Sequence, residues 1–197
     1  MIEQLNRLQL DWELVEAIDA QSLTDQQLAS HCAPMSTEMR QRYLTRGAIG
    51  CALSHIKALQ IILMRGYERA CILEDDLLLP EDFPSILTEM ETLVAQSEVI
   101  LLYWLSFEMQ TFDRQTALHL KCGQVLASSG NADRLLSAVG YVVSANSAAK
   151  ISESNQPVRV TADSWGYFLS MGAIDRIRCL VPSPIQLAPG PSDIQLR

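Results

Sequence analysis

Apolar residues recur at three- and four-residue steps over residues 47–64. Ile49, Leu53, Ile56, Leu59 and Leu63 form one stripe of a predicted helix, and Gly66 stands where a helix C-cap belongs. Before it, Ile2, Leu5 and Leu8 mark residues 1–10 as the tail of an amphipathic helix. Residues 12–18 read as a strand, and 19–29 as a loop and short helix with Thr24 as its cap. After it come a short buried strand over 70–73, a helix over 84–95 opened by Pro84, and an apolar strand over 99–104. Residues 107–136 are polar and irregular, with Ser128, Ser129, Gly130 and Asn131 as a flexible turn. A strand over 138–143 leads to a small helix through Ile151, capped by Ser144 or Asn146. A short helix over 163–169 and a strand over 177–181 follow, and the proline-rich residues 182–197 read as an extended coil. Strands alternating with helices predict one α/β domain over residues 1–197 with a mainly parallel sheet. Such chains normally open on a strand; here the pattern opens on a helix, so the sheet is expected to lack its first strand.

Charge narrows the partners. The chain has 15 Lys and Arg against 23 Asp and Glu, a formal charge of −8, which argues against duplex nucleic acid and its need for a basic surface. An anionic small ligand stays open, because a metal ion can supply positive charge locally. Five cysteines stand far apart with no CxxC pair, so reduced core thiols are expected rather than a disulfide framework. The polar N-terminus does not resemble a signal peptide, and apolar stretches such as 99–105 fall short of the ~20 residues that span a bilayer. No transmembrane segment and a cytoplasmic location are expected.

The acidic triplet Glu74, Asp75 and Asp76 directly follows the apolar strand over 70–73, where open α/β sheets bind ligands. Three crowded carboxylates repel one another, and a hard divalent cation such as Mg²⁺ or Mn²⁺ resolves the conflict. A solvated acidic turn ahead of the next helix is the plainer alternative, but Leu77, Leu78 and Leu79 wedge the cluster between buried segments. Ser54 and His55 interrupt the apolar surface of the long helix. A lone His beside a core face is more often a hydrogen-bonded structural residue, and no second His or HExxH spacing suggests zinc. No GxSxG elbow, Walker loop or GxGxxG run is present.

Gly50, Cys51, Ser54 and His55, followed by Leu73, Glu74, Asp75 and Asp76, resemble the signature of glycosyltransferase family 25. That family holds bacterial lipopolysaccharide or lipooligosaccharide galactosyltransferases and the collagen galactosyltransferases. Residues 139–144, the run around Asp163 and Trp165, the run at 15–20 and the closing Ser192, Asp193 and Ile194 are similar to its other motifs. Ala48 stands where many members carry Glu.

The resemblance implies a GT-A type, Rossmann-like domain that transfers a sugar, galactose in kind, from a UDP-sugar to a glycan or lipooligosaccharide acceptor with inversion. It implies Mn²⁺ or Mg²⁺ on Asp75 and Asp76, with Glu74 near the ribose or a bound water, and Ser54 and His55 lining the donor site. Asp163 is the candidate general base, beside Trp165 as a sugar-facing aromatic; the plainer reading makes Asp163 a helix N-cap. The place of work would be cytoplasmic, with peripheral association at the inner face of the cytoplasmic membrane. The alternative is a truncated, catalytically silent GT-A module that serves as a binding or scaffold protein. A metal-dependent phosphohydrolase fits less well, since its acidic motif follows the first strand.

Overall fold

The computed structural model describes residues 1–35, 44–91, 93 and 96–189. Ser192, Asp193 and Ile194, residues 92, 94 and 95 of the expected helix over 84–95, and the end of the expected coil lie outside them. Helix α1 (Ile2–Arg7) and α2 (Asp25–His31) precede the long α3 (Arg46–Arg65). Then come β1 (Arg69–Leu73), β2 (Leu77–Leu78), α4 (Phe83–Met90), β3 (Glu98–Leu101), β4 (Thr111–Leu120) and β5 (Gly123–Gly130). The chain continues through β6 (Gly140–Ser144), α5 (Ala145–Ser154), α6 (Trp165–Ser170), β7 (Arg176–Val181) and β8 (Gln186–Leu187).

Local signals explain most helix ends. Thr24 and Gln27 close a capping box on α2. Thr45 accepts from the Ala48 N–H at the start of α3, and Gly66 ends it in the left-handed region at φ 71°. Ser144, not Asn146, caps α5 by accepting from the Ser147 N–H.

Six strands form one sheet in the order β1-β6-β3-β7-β5-β4, while β2 and β8 make a separate antiparallel pair. Successive residues of the central strands point to opposite faces. Val99, Leu101, Tyr141 and Val143 pack with Leu59 and Ile62 of α3, Ile151 of α5 and Trp165 and Phe168 of α6. Ile100, Leu102 and Val142 pack with Phe83, Ile86 and Met90 of α4 and with Leu8. The sheet is therefore covered on both faces, which is why its central strands are nearly continuous in apolar residues. A third cluster joins the N-terminal half of the same α3 stripe, with Ile49, Leu53 and Ile56, to Leu28 of α2 and Val158.

The α/β class agrees with the sequence reading; the mainly parallel sheet does not. Among the described strands of this sheet only β3 and β7 run parallel, while β1–β6, β3–β6, β5–β7 and β4–β5 are antiparallel. Apolar continuity reports that both faces are buried and carries no information on strand direction. Residues 107–136 account for much of the difference. They build the β4–β5 hairpin, and the turn expected at Ser128, Ser129 and Gly130 is part of β5. Register shifts between Asp113 and Leu118 break the alternation that would have marked β4. In the expected coil, Gln186 and Leu187 pair with β2.

Residues 12–18, expected as a strand, join no sheet among the described residues. Glu13 pairs with Arg65 at 2.8 Å, and Lys57 donates to the Glu16 carbonyl at 2.8 Å, so this segment runs along α3. Among the described residues β1 has one neighbour, β6, and it is half-buried although both faces of the sheet are covered. A cleft of about 1990 Å³ lies between its outer edge and residues 10–20. Among the described helices, α3 is long and apolar enough, by length and composition alone, to cross a membrane. Its buried stripe here packs inside the domain.

Candidate active site

The triplet sits at the carboxyl end of β1. The Glu74 N–H donates to the Val139 carbonyl at 2.7 Å, extending the β1–β6 ladder by one rung. Asp75 and Asp76 are exposed, and Leu77 and Leu79 return the chain to the core at 1% and 6% exposure. The Ala188 N–H holds the Asp76 carbonyl at 2.7 Å. The acidic turn is thus pinned on both sides, as the sequence pattern suggested. Partial burial, with the charges of Glu74 and Asp75, raises the proton affinity of Asp76 above the ordinary carboxylate range. This is the crowding that a cation relieves, so Asp75 and Asp76 suit a hard divalent ion in charge and donor type.

Helix α3 brings a second set of groups to the same place. His55 is buried, with Nε2 3.1 Å from Glu74 Oε1 and Nδ1 3.0 Å from the Tyr141 hydroxyl. A carboxylate only accepts, so Nε2 carries the hydrogen toward Glu74, and on the neutral ring Nδ1 accepts from Tyr141. The two rings stack with centroids 5.7 Å apart, and Tyr141 meets Trp165 edge-on. Burial, reinforced by the nearby acidic groups, raises the Tyr141 hydroxyl well above its ordinary value. One helical turn before His55, the Cys51 thiol donates to Glu74 Oε1 at 3.8 Å. Burial first, then the charges of Glu74 and Asp163, push that thiol up to about 12.

Ser54 faces elsewhere. Its hydroxyl donates to the Gly50 carbonyl at 2.7 Å and accepts from the Ile18 N–H at 2.8 Å, bracketing residues 18–20 against α3. Gly50 makes that approach feasible, since a Cβ there would stand 2.7 Å from the Ile18 carbonyl oxygen. Cys51, Ser54, His55, Glu74 and Asp75 all line the cleft beside β1.

Asp163 does not cap a helix. Helix α6 begins at Trp165 with Ser164 as N-cap, and the Asp163 carboxylate instead accepts from the Ser137 N–H at 3.2 Å and the Thr161 hydroxyl at 2.6 Å. Its charge acts on the Cys51 thiol, but Asp163 is not among the residues that line the cleft beside β1. Trp165 is 1% exposed and donates to the Ser137 carbonyl at 3.0 Å. The expected sugar-facing aromatic is thus a core residue, because its ring packs between Tyr141 and Phe168.

Among the described residues, the three ligand-type side chains that converge are Cys51, His55 and Glu74. The sequence reading used Cys51 and Tyr141 only as members of motif runs, at 50–55 and 139–144, and gave neither a role of its own. The spacing of Cys51 and His55, four apart on a helix, was the available signal for the first. Tyr141 lies 86 positions from His55, and the motif run that contains it says nothing of that contact.

The family model described as Glycosyltransferase family 25 (LPS biosynthesis protein) matches residues 1–165. Procollagen galactosyltransferase 2 of Homo sapiens is 28% identical over 161 residues, covering 79% of this chain and 25% of that protein. The Mus musculus protein of the same name is 28% identical over 175 residues, 86% of this chain and 26% of its own length. Procollagen galactosyltransferase 1-B of Xenopus laevis is 32% identical over 108 residues, 53% of this chain and 17% of its own. The chain therefore spans about a quarter of the length of the first two relatives. With four-fifths of its residues inside the family model, the chain belongs to glycosyltransferase family 25.

Proposed function

We propose that this chain transfers a sugar, galactose in kind, from a UDP-sugar to a hydroxyl of a glycan acceptor such as a lipooligosaccharide. The observation that carries the reading is the pinned, crowded triplet Glu74, Asp75 and Asp76 at a strand end beside a cleft of about 1990 Å³. The names of the relatives support galactose, and the family description supports a lipopolysaccharide-type acceptor. Asp75 and Asp76 are the residues that would hold Mn²⁺ or Mg²⁺. When bound, such an ion supplies charge neutralisation for a leaving diphosphate. His55 and Glu74, fixed to each other, give the donor side of the cleft a rigid polar wall. Asp163 is proposed to take the proton of the acceptor hydroxyl as it attacks, since a carboxylate already oriented by two donors needs no rearrangement to accept one. Acting on a lipid-linked glycan would put the work at the cytoplasmic face of the inner membrane, with peripheral association. Phe107 and Met109, 95% and 84% exposed, offer an apolar contact for it.

Thermal unfolding with UDP and Mn²⁺ tests the donor site. Together they should stabilise the protein, by about 2.7 kcal/mol at a hundredfold excess over Kd, and Asp76→Asn should abolish the joint effect. A UDP effect indifferent to EDTA would overturn the metal assignment. A second reading, a catalytically silent binding module, is favoured by the cleft beside β1, whose one strand neighbour among the described residues is β6. Donor binding without turnover over a panel of UDP-sugars and glycan acceptors would establish that reading instead.

A further inference from the structure

Three ligand atoms of mixed chemistry meet in the cleft wall: Cys51 Sγ, His55 Nε2 and Glu74 Oε1 lie within 4.8 Å of one another. We infer that this cluster is a binding site for a thiophilic divalent cation of the Zn²⁺ type, distinct from the hard-cation pair Asp75 and Asp76. The inference does not depend on the glycosyl-transfer reading.

Donor softness separates the two sites. A hard ion prefers oxygen ligands alone, whereas a thiolate with an imidazole selects Zn²⁺ and Co²⁺. Two of the three separations lie close to those of a coordinated ion, and all three atoms fall within 4.8 Å of one another. Metal bonds of about 2.0–2.3 Å in a tetrahedron put the ligand atoms roughly 3.3–3.8 Å apart. Here Nε2 and Oε1 are 3.1 Å apart, and Sγ and Oε1 are 3.8 Å apart. Cys51 and His55 share one face of α3 four residues apart, so a rigid helix holds two of the ligands at fixed separation. With three protein ligands, a fourth position remains for water or an anionic oxygen, the pattern of sites that keep an exchangeable ligand.

The outer shell is also in place. When Nε2 binds the ion, the ring hydrogen sits on Nδ1, and the Tyr141 oxygen, 3.0 Å away, accepts it. Binding breaks the Cys51 S–H bond and forms a metal–sulfur bond, and the released proton goes to solvent. No oxidant or reductant is needed. A bound cation overrides the burial that otherwise keeps the thiol protonated, because a coordinating thiol is deprotonated outright.

Co²⁺ titration of the full chain is the test, since a thiolate on Co²⁺ adds a sulfur-to-metal charge-transfer band in the near ultraviolet. The band should saturate at one equivalent and be bleached by Zn²⁺. It should vanish in Cys51→Ser while persisting in Cys122→Ser, a change at a half-buried thiol on the distant β4–β5 turn. Tyr141→Phe should weaken Co²⁺ binding about 10-fold or more while keeping the band. Circular dichroism of each variant separates loss of the site from loss of the fold. A wild-type protein that binds Co²⁺ without the band, or a band that survives Cys51→Ser, overturns the inference. Binding of UDP with Mn²⁺, measured on the same preparations, reports on the donor site separately.

Discussion

His55 Nε2 stands 3.1 Å from Glu74 Oε1, so a helix residue and a strand-end residue 19 positions apart share one hydrogen bond in the wall of the cleft. Because Tyr141 holds the other ring nitrogen, the imidazole is fixed from both sides. The carboxylate nearest the core is thereby committed to α3, while Asp75 and Asp76 are exposed and Asp75 lines the cleft.

Tyr141→Phe tests that fixation. The phenol is buried, and its loss leaves His55 Nδ1 without its partner at 8% residue exposure. The expected cost is about 1–3 kcal/mol, the penalty of an unsatisfied buried polar group. At roughly 2–4 °C per kcal/mol for a chain of this size, calorimetry reads it directly. An unchanged Tm would mean that the ring nitrogen finds another partner.

Asp76 makes stability depend on pH in the direction opposite to a paired carboxylate. Its proton affinity in the fold is raised above the ordinary value of 3.8. The native state therefore holds this proton more readily than the unfolded chain. The contribution is fully present below 3.8 and is lost as the pH rises through the folded value. In the metal-free protein Asp76→Asn should raise stability at pH 7 by about 0.5 kcal/mol or less, because solvent screens the site. The gain should shrink toward zero as the pH falls to 3.8. Paired melting curves of wild type and variant across that range check the sign.

Gly50→Ala should be costly for a residue that adds one methyl group. The new Cβ would meet the Ile18 carbonyl oxygen at 2.7 Å, and backbone cannot swing aside as a side chain can. A loss of about 1–3 kcal/mol is expected from overpacking, with residues 18–20 pushed off α3. Weaker hydrogen-exchange protection at the Ile18 amide, which now donates to Ser54, would be the local signature. Wild-type stability in this variant would show that the contact is looser than drawn.

Asp163→Asn separates chemistry from architecture. The amide oxygen can keep one of the two hydrogen bonds that reach the carboxylate, from Ser137 and Thr161, so the fold should lose only about 1 kcal/mol. Donor affinity should persist, and sugar transfer should fall about 10²–10⁴-fold. Near-normal turnover on the same preparation removes Asp163 from the mechanism.

Elements whose cause is local were legible in the chain itself. The apolar stripe and the Gly66 stop define α3, the Thr24 box defines the start of α2, and the wedge of Leu77 and Leu79 after three carboxylates marks the acidic turn. Each depends on residues within a few positions of one another, where periodicity and capping act. The triplet and the Gly50–His55 motif were also enough to indicate the family. What tertiary structure decided was every relation between distant segments. Strand direction could not be read, because Val99, Ile100 and Leu101 would be equally apolar in either orientation of a doubly covered sheet. The 12–18 segment has the composition of a strand, but a ladder needs a partner edge, and the cleft separates it from β1. Trp165 looks like a sugar platform in one dimension and is core in three, since Tyr141 and Phe168 come to it from other elements. The meeting of Cys51, His55, Glu74 and Tyr141 has the same origin: a helix and two strands supply them, and only their packing sets the distances on which any chemistry there depends.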